Sequence, residues 1–181
     1  MKKSKTRQDC ELAVATYAPT IRMSVEHLKA PQLLYVGVAG NPLTHNGKPG
    51  LDNPELFPEF EVTTLDFDKA WNPDIVGDIT DPEKWWDGTE YDLVIITQVI
   101  EHIPNVWDVS WGLKEIIRKG GFAIVDSPWG PKGPDYHGEP PSFGDYWRIS
   151  KDGMRTLFGS DFYIMNIMDT DANVSALLRR M

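Results

Sequence analysis

The sequence predicts an α/β protein: a mostly parallel sheet between two layers of helix, a three-layer α/β/α sandwich. Three observations carry this. Tyr91-Asp92-Leu93-Val94-Ile95-Ile96-Thr97 is an apolar run with no alternation, the pattern of a strand buried on both faces. Candidate strands alternate with candidate helices along the chain, as βαβ units do. The strands also end in polar groups: Asp66 after Val62-Thr63-Thr64-Leu65, Asp78 after Val76-Gly77, Gln98 after the central run. Open α/β sheets hold their ligands at those carboxyl ends.

In chain order, residues 1–30 read as a tail and covering helices, and residues 31–181 as one domain. Asp9 to Ala18 suits a helix capped by Asp9, Pro19 interrupts it, and Thr20 to Lys29 suits a second helix with Ile21, Val25 and Leu28 on one side. Leu33 to Gly40 reads as a strand running into a small-residue turn. Residues 40–61 carry Pro42, Pro49, Pro54 and Pro58, which allow no more than a helical turn around Asn53–Phe57. Val62 to Asp66 reads as the second strand and Val76 to Thr80 as a short strand or turn. Asp81-Pro82-Glu83 starts a short helix with Asp81 as cap and Pro82 at the first helical position. Val106 to Lys119 predicts a helix with Val109, Leu113, Ile116 and Ile117 inward, ended by Gly120-Gly121 before a strand at Phe122–Ser127. Residues 128–148, rich in Pro and Gly, predict a long functional loop. Ser150 caps a helix to Phe158, and Phe162–Met168 and Asn173–Arg179 close the chain as strands.

The 181 residues suffice for one sizeable core, and 41% apolar content argues against disorder. A formal charge of −9 argues against a nucleic-acid or anionic-membrane partner, because phosphates reward Lys and Arg. The lone cysteine, Cys10, permits no internal disulfide. The basic start, Met1 to Arg7, lacks the apolar core of a signal peptide, and no stretch has the length of a membrane span. A soluble, cytoplasmic protein is expected. The four histidines are scattered without ligand-pair spacing, so no metal site is expected. There is no phosphate-binding Gly-Lys-Ser/Thr loop, no nucleophile elbow and no GxGxxG fingerprint.

The order and spacing of these motifs over residues 30–168 resemble the class I S-adenosylmethionine (SAM) dependent methyltransferases, most closely small type 11-like members. The likeness rests on Thr64-Leu65-Asp66-Phe67-Asp68, Val99-Ile100-Glu101-His102-Ile103, Arg118-Lys119-Gly120-Gly121 and Asp145-Tyr146-Trp147-Arg148. It implies a Rossmann-like seven-stranded sheet with SAM as cofactor. Gly37 and Ala39 would form the turn beside the methionine half of SAM. Asp66 would accept the ribose diol, a charge-assisted bidentate contact. Asp78 and Ile79 would meet the adenine, Phe67 would be a further cofactor-binding residue, and Thr97 and Gln98 would lie beside the sulfonium. The first motif departs from the family: Tyr35 stands where an acid is usual, and Ala39 and Asn41 stand where glycines are usual.

Methyl transfer is an in-line displacement, so alignment of the acceptor does most of the work. A hydroxyl acceptor also wants a base, and His102 and His137 are the candidates by placement. Glu101 equally suits a supporting hydrogen bond. Trp129, Tyr146 and Arg148 are the candidate substrate residues, Arg148 as a clamp for an anionic group. The same residues also suit a structural role, with Asp145 pairing to Arg148. The resemblance implies a small-molecule or glycan acceptor. A methyltransferase-like protein that binds without turnover is the alternative.

Overall fold

The computed structural model describes residues 5–38, 56–129 and 144–181. Within them lie helices α1 (Lys5–Val25), α2 (Asp108–Ile116) and α3 (Lys151–Phe158). The strands are β1 (Gln32–Val36), β2 (Glu61–Asp66), β3 (Ile75–Val76), β4 (Tyr91–Thr97), β5 (Ile117–Pro128), β6 (Phe162–Asp169) and β7 (Asn173–Arg180). They form one seven-stranded sheet in the order β3-β2-β1-β4-β5-β7-β6. The first five in that order are parallel; β7 runs antiparallel to β5, and β6 antiparallel to β7.

The central run buries both faces, as its lack of alternation requires. Leu33, Tyr35, Leu93, Ile95, Phe122 and Ile124 pack with Ala13, Tyr17, Ile21 and Val25 of α1. Their neighbours Leu34, Val36, Val94, Ile96, Ala123 and Val125 pack with Val109, Leu113 and Ile116 of α2 and Met154, Leu157 and Phe158 of α3. Each fully buried aliphatic side chain contributes about 1.5–3 kcal/mol.

Two boundaries differ from the sequence reading. Pro19 does not split the first helix; α1 runs unbroken through it. The proline sits on the exposed side, while Ala13, Tyr17 and Ile21 bury against the sheet, and Tyr17 Oη donates to the Ser175 carbonyl at 3.1 Å. That packing outweighs the ~3 kcal/mol that an interior proline costs. The second helix is shorter than expected. It ends at Ile116, and Ile117 already pairs with Tyr91 in the sheet. The ladder captures the segment because Ile117 is buried and Arg118 forms an ion pair with Asp92. The Gly-Gly step therefore lies inside β5, where a register shift and φ of +79° at Gly120 absorb the irregularity. Asp81–Trp86 forms only a 3-10 turn, Pro82–Lys84, in which Asp81 pairs with Lys84 instead of capping. The Ser150 cap forms: its Oγ accepts the Gly153 N–H at 3.1 Å. Most of the helical turn expected at Asn53–Phe57 lies outside the described residues. No helix of the described residues is long and apolar enough to cross a membrane.

Candidate active site

Because β1, β2, β4 and β5 are parallel, their carboxyl ends meet on one rim of the sheet. The register sets Val36 beside Leu65 and Ile96, and Thr97 beside Asp126. After β1 the chain turns at Gly37, whose φ is +83° and whose N–H donates to the Leu65 carbonyl at 2.9 Å. A Cβ at Gly37 would stand 2.1 Å from Val99 Cγ2. The turn after β1 is therefore pressed against the turn after β4, which only glycine allows at that φ.

Asp66 ends β2 and is buried. Its Oδ2 accepts the Val38 N–H at 2.8 Å and its Oδ1 accepts the Asp68 N–H at 2.9 Å. The carboxylate thus ties the β1 and β2 turns together. Phe67, next in the chain, is 61% exposed. Asp78 is also exposed; its Oδ1 accepts the Thr80 N–H and hydroxyl at 2.9 and 2.8 Å. Ile79 is buried, held close by α2: a Cβ on Gly112 would stand 1.9 Å from the Ile79 carbonyl oxygen.

On β4, Thr97 Oγ1 lies 3.3 Å from the Tyr35 hydroxyl. Gln98 has φ of +56°, the left-handed region that non-glycine residues rarely enter. Two bonds hold it there: its N–H donates to the Asp126 carbonyl at 3.1 Å, and Nε2 donates to Asp126 Oδ1 at 2.6 Å. Asp126 is wholly buried, and burial pushes its carboxyl up to about 6 against the hydrogen bonds from Cys10, Ser175 and Gln98 that pull it down. Burial, then the Asp126 charge, raises the Cys10 thiol well above its ordinary value, so the thiol keeps its proton and donates.

Glu101 and His102 follow in the 3-10 turn Ile100–His102. Glu101 is buried, and its Oε2 has no hydrogen-bond partner among the described residues. Burial pushes this carboxyl up to about 8. His102 Nδ1 lies 2.7 Å from the Gly144 carbonyl. A carbonyl only accepts, so Nδ1 carries the proton and the lone pair of the neutral ring is on Nε2, 3.7 Å from Glu101 Oε1. Burial lowers the His102 pKa, favouring that neutral ring.

The 144–148 segment is laced to the same turn. Tyr146 N–H donates to the Glu101 carbonyl at 2.8 Å and Trp147 Nε1 to the Ile103 carbonyl at 2.8 Å. Arg148 grips Asp145 with two bonds, Nη1 to Oδ1 at 2.5 Å and Nη2 to Oδ2 at 2.7 Å. The pair holds Asp145 below the usual carboxylate range. The Tyr146 ring is exposed. Trp129 N–H donates to the Ala172 carbonyl at 2.6 Å.

Comparison with solved structures gives this fold a precedent. The N-methyltransferase NodS from Bradyrhizobium japonicum WM9, in complex with S-adenosyl-L-homocysteine (SAH), matches with a TM-score of 0.60 at 12% identity, over 98% of this chain and 99% of that one. A S-adenosylmethionine-dependent methyltransferase from Clostridium acetobutylicum ATCC 824 matches with 0.63 at 8% identity, over 93% and 91%. The fold is the class I methyltransferase fold. Burkholderia thailandensis 1,6-didemethyltoxoflavin-N1-methyltransferase, with bound 1,6-didemethyltoxoflavin and SAH, shares it with a TM-score of 0.59 at 12% identity, over 94% and 79%. No family model matches the chain, and neither does any curated protein.

Within this fold Gly37, Asp66, Thr97 and Gln98 stand together on the rim, with Phe67, Asp78 and Ile79 along its β2–β3 side. Ala39 and His137 lie outside the described residues. Sequence reasoning missed Asp126 and the depth of Glu101. Both carried a signal: an acid within the apolar Phe122–Val125 strand, and an acid between Ile100 and Ile103.

Proposed function

We propose that this protein is a SAM-dependent methyltransferase acting on a small-molecule or glycan acceptor. The observation that carries the reading is the side-chain-free turn at Gly37, tied through Val38 to the Asp66 carboxylate in the fold of known methyltransferases. The two apolar clusters, one on each sheet face, support the three-layer α/β/α sandwich of that fold.

These residues fit SAM by their chemistry. The Gly37 turn presents backbone where a side chain would obstruct. Asp66 puts a carboxylate, the kind of acceptor a ribose diol needs, at the end of β2. Phe67 is an exposed ring for stacking beside Ile79, and Asp78 keeps Oδ2 for an amino group. SAM, when bound, supplies a methyl group already activated on a sulfonium. The chain's own part is to orient the acceptor, exclude water and accept a proton. His102 Nε2 is the nitrogen that holds a lone pair, and His137 is the second candidate base. Glu101, a buried acid beside His102 with its carboxyl pushed up to about 8, holds its proton at neutral pH and adds no charge there. Trp129, Tyr146 and Arg148 form the acceptor side.

Calorimetric titration with SAM and SAH tests this. Micromolar binding of both is expected, weakened at least tenfold in Asp66→Ala and in Asp78→Ala, the latter an exposed position that spares the core. No binding of either ligand by cooperatively folded protein overturns the reading. Binding without methyl transfer to any of a panel of amines, phenols and sugars favours a binding protein over an enzyme.

A further inference from the structure

The Asp126 carboxylate is a hub that the methyl-transfer chemistry does not itself use. Side chains from three places converge on it. Cys10 Sγ of α1 donates to Oδ1 at 2.8 Å, Gln98 Nε2 to Oδ1 at 2.6 Å and Asn173 Nδ2 of β7 to Oδ1 at 3.1 Å, while Ser175 Oγ of β7 bonds Oδ2. The hub reaches further into α1, where Asp9 Oδ2 accepts the Thr170 hydroxyl at 2.7 Å.

Charge is costly at a site buried this completely, and a carboxylate survives there only when donors surround it. Apolar residues would fill the same space more cheaply. What a carboxylate adds is the capacity to accept several donors at once, and one of those donors is Gln98. The left-handed conformation of Gln98 is strained and persists only where its surroundings over-determine it. Asp126 supplies both restraints, one from its main chain and one from its side chain. Val99, next in the chain, then occupies the space beside Gly37.

We propose that Asp126 is a positioning residue for the cofactor cradle: it holds Gln98 in its strained conformation and thereby sets the Val99–Gly37 contact that shapes the turn. The inference rests on the reading of that turn as the SAM cradle. The carboxylate acts through Gln98 and does not touch the ligand. It also joins α1 and β7 to the rim, so a change at Cys10 or Ser175 reaches the cradle through the same hub.

Two readouts test it on the full chain: SAH affinity by calorimetry and hydrogen exchange at the Gln98 amide. Asp126→Asn keeps an oxygen for Cys10, Gln98 and Asn173 and turns an amide toward Ser175 Oγ, which as a hydroxyl accepts. It should bind SAH within about threefold of wild type and keep the Gln98 amide protected. Asp126→Ala keeps the main-chain carbonyl and removes the side-chain restraint, so exchange at the Gln98 amide should quicken as the turn loosens and SAH should bind at least tenfold more weakly. Gln98→Leu, which removes only the side-chain restraint, serves where the alanine variant fails to fold; weakened SAH binding is expected. A purely structural hub would lower the unfolding midpoint of these variants and leave the affinity of the folded protein unchanged, and that result overturns the proposal. If wild type binds no SAH, the cofactor reading fails by itself. Exchange at residue 98 then decides the positioning claim: protection unchanged in Asp126→Ala refutes it.

Discussion

Glu101 should make this protein less stable as the solution is made more alkaline through neutrality, and Glu101→Gln should abolish the effect. The carboxyl is buried, and burial pushes its pKa from 4.5 up to about 8. Between those values the unfolded chain has released the proton and the folded chain still holds it. Unfolding stability then falls with rising pH by about 1.36 kcal/mol per pH unit, and the loss is complete above the folded pKa. The window from pH 6.5 to pH 8 isolates this group. Asp126, raised to about 6, has largely ionised in both states by then. His102, whose pKa is lowered, contributes with the opposite sign, and only below its ordinary 6.5. Cys10, raised well above 9.0, acts at higher pH. Over this window wild type should lose about 2 kcal/mol, which at a typical urea dependence moves the midpoint down by about 1 M. Urea unfolding at pH 6.5, 7.2 and 8.0, followed by fluorescence of the seven tryptophans, reads it directly. Glu101→Gln shifts the baseline, since an amide replaces an acid, but its midpoint should stay level across the window. Equal slopes in the two proteins would show that the wild-type carboxyl is ionised and solvated, and would refute its burial.

Two further outcomes follow from the packing. Gly112→Ala should destabilise by about 2 kcal/mol or more, because the new methyl would stand 1.9 Å from the rigid Ile79 carbonyl oxygen. Alanine otherwise favours a helix by about 1 kcal/mol, so a raised urea midpoint would disprove the close approach of α2 to Ile79. Phe67→Ala should leave stability within about 0.5 kcal/mol, as its ring is exposed, while weakening SAH by about tenfold through loss of base stacking. Unchanged titration would remove Phe67 from the site.

The sheet was legible because its signal is local. A run such as Leu93 to Ile96, with every residue buried, has no soluble arrangement other than one covered on both sides. The ends of helices were harder. Pro19 and Gly120-Gly121 are strong local punctuation, yet sheet contacts overrode both: α1 is held by its buried face, and Ile117–Lys119 by a ladder to β4 and the Asp92 ion pair. Such decisions are made by residues far along the chain, from 26 positions away for Asp92 and Arg118 to 158 for Tyr17 and Ser175, which no window of sequence contains.

The site divides in the same way. Gly37 and Asp66 could be read from position, since a glycine after one strand and an acid after the next have a role wherever parallel strands end together. The acids that do most to stiffen the rim could not. Asp126 acquires meaning only when Cys10, Gln98, and Asn173 with Ser175 arrive from three separate stretches of chain. Glu101 is unusual because, among the described residues, nothing arrives at its Oε2. A buried acid inside an apolar run is costly in any fold. In this chain that cost falls at the carboxyl ends of β4 and β5, where Gln98 is strained and His102 keeps its lone pair. Asp126 ties the rim at Gln98, and Glu101, whose carboxyl burial pushes up to about 8, holds its proton beside His102 at neutral pH, where burial also favours the neutral imidazole.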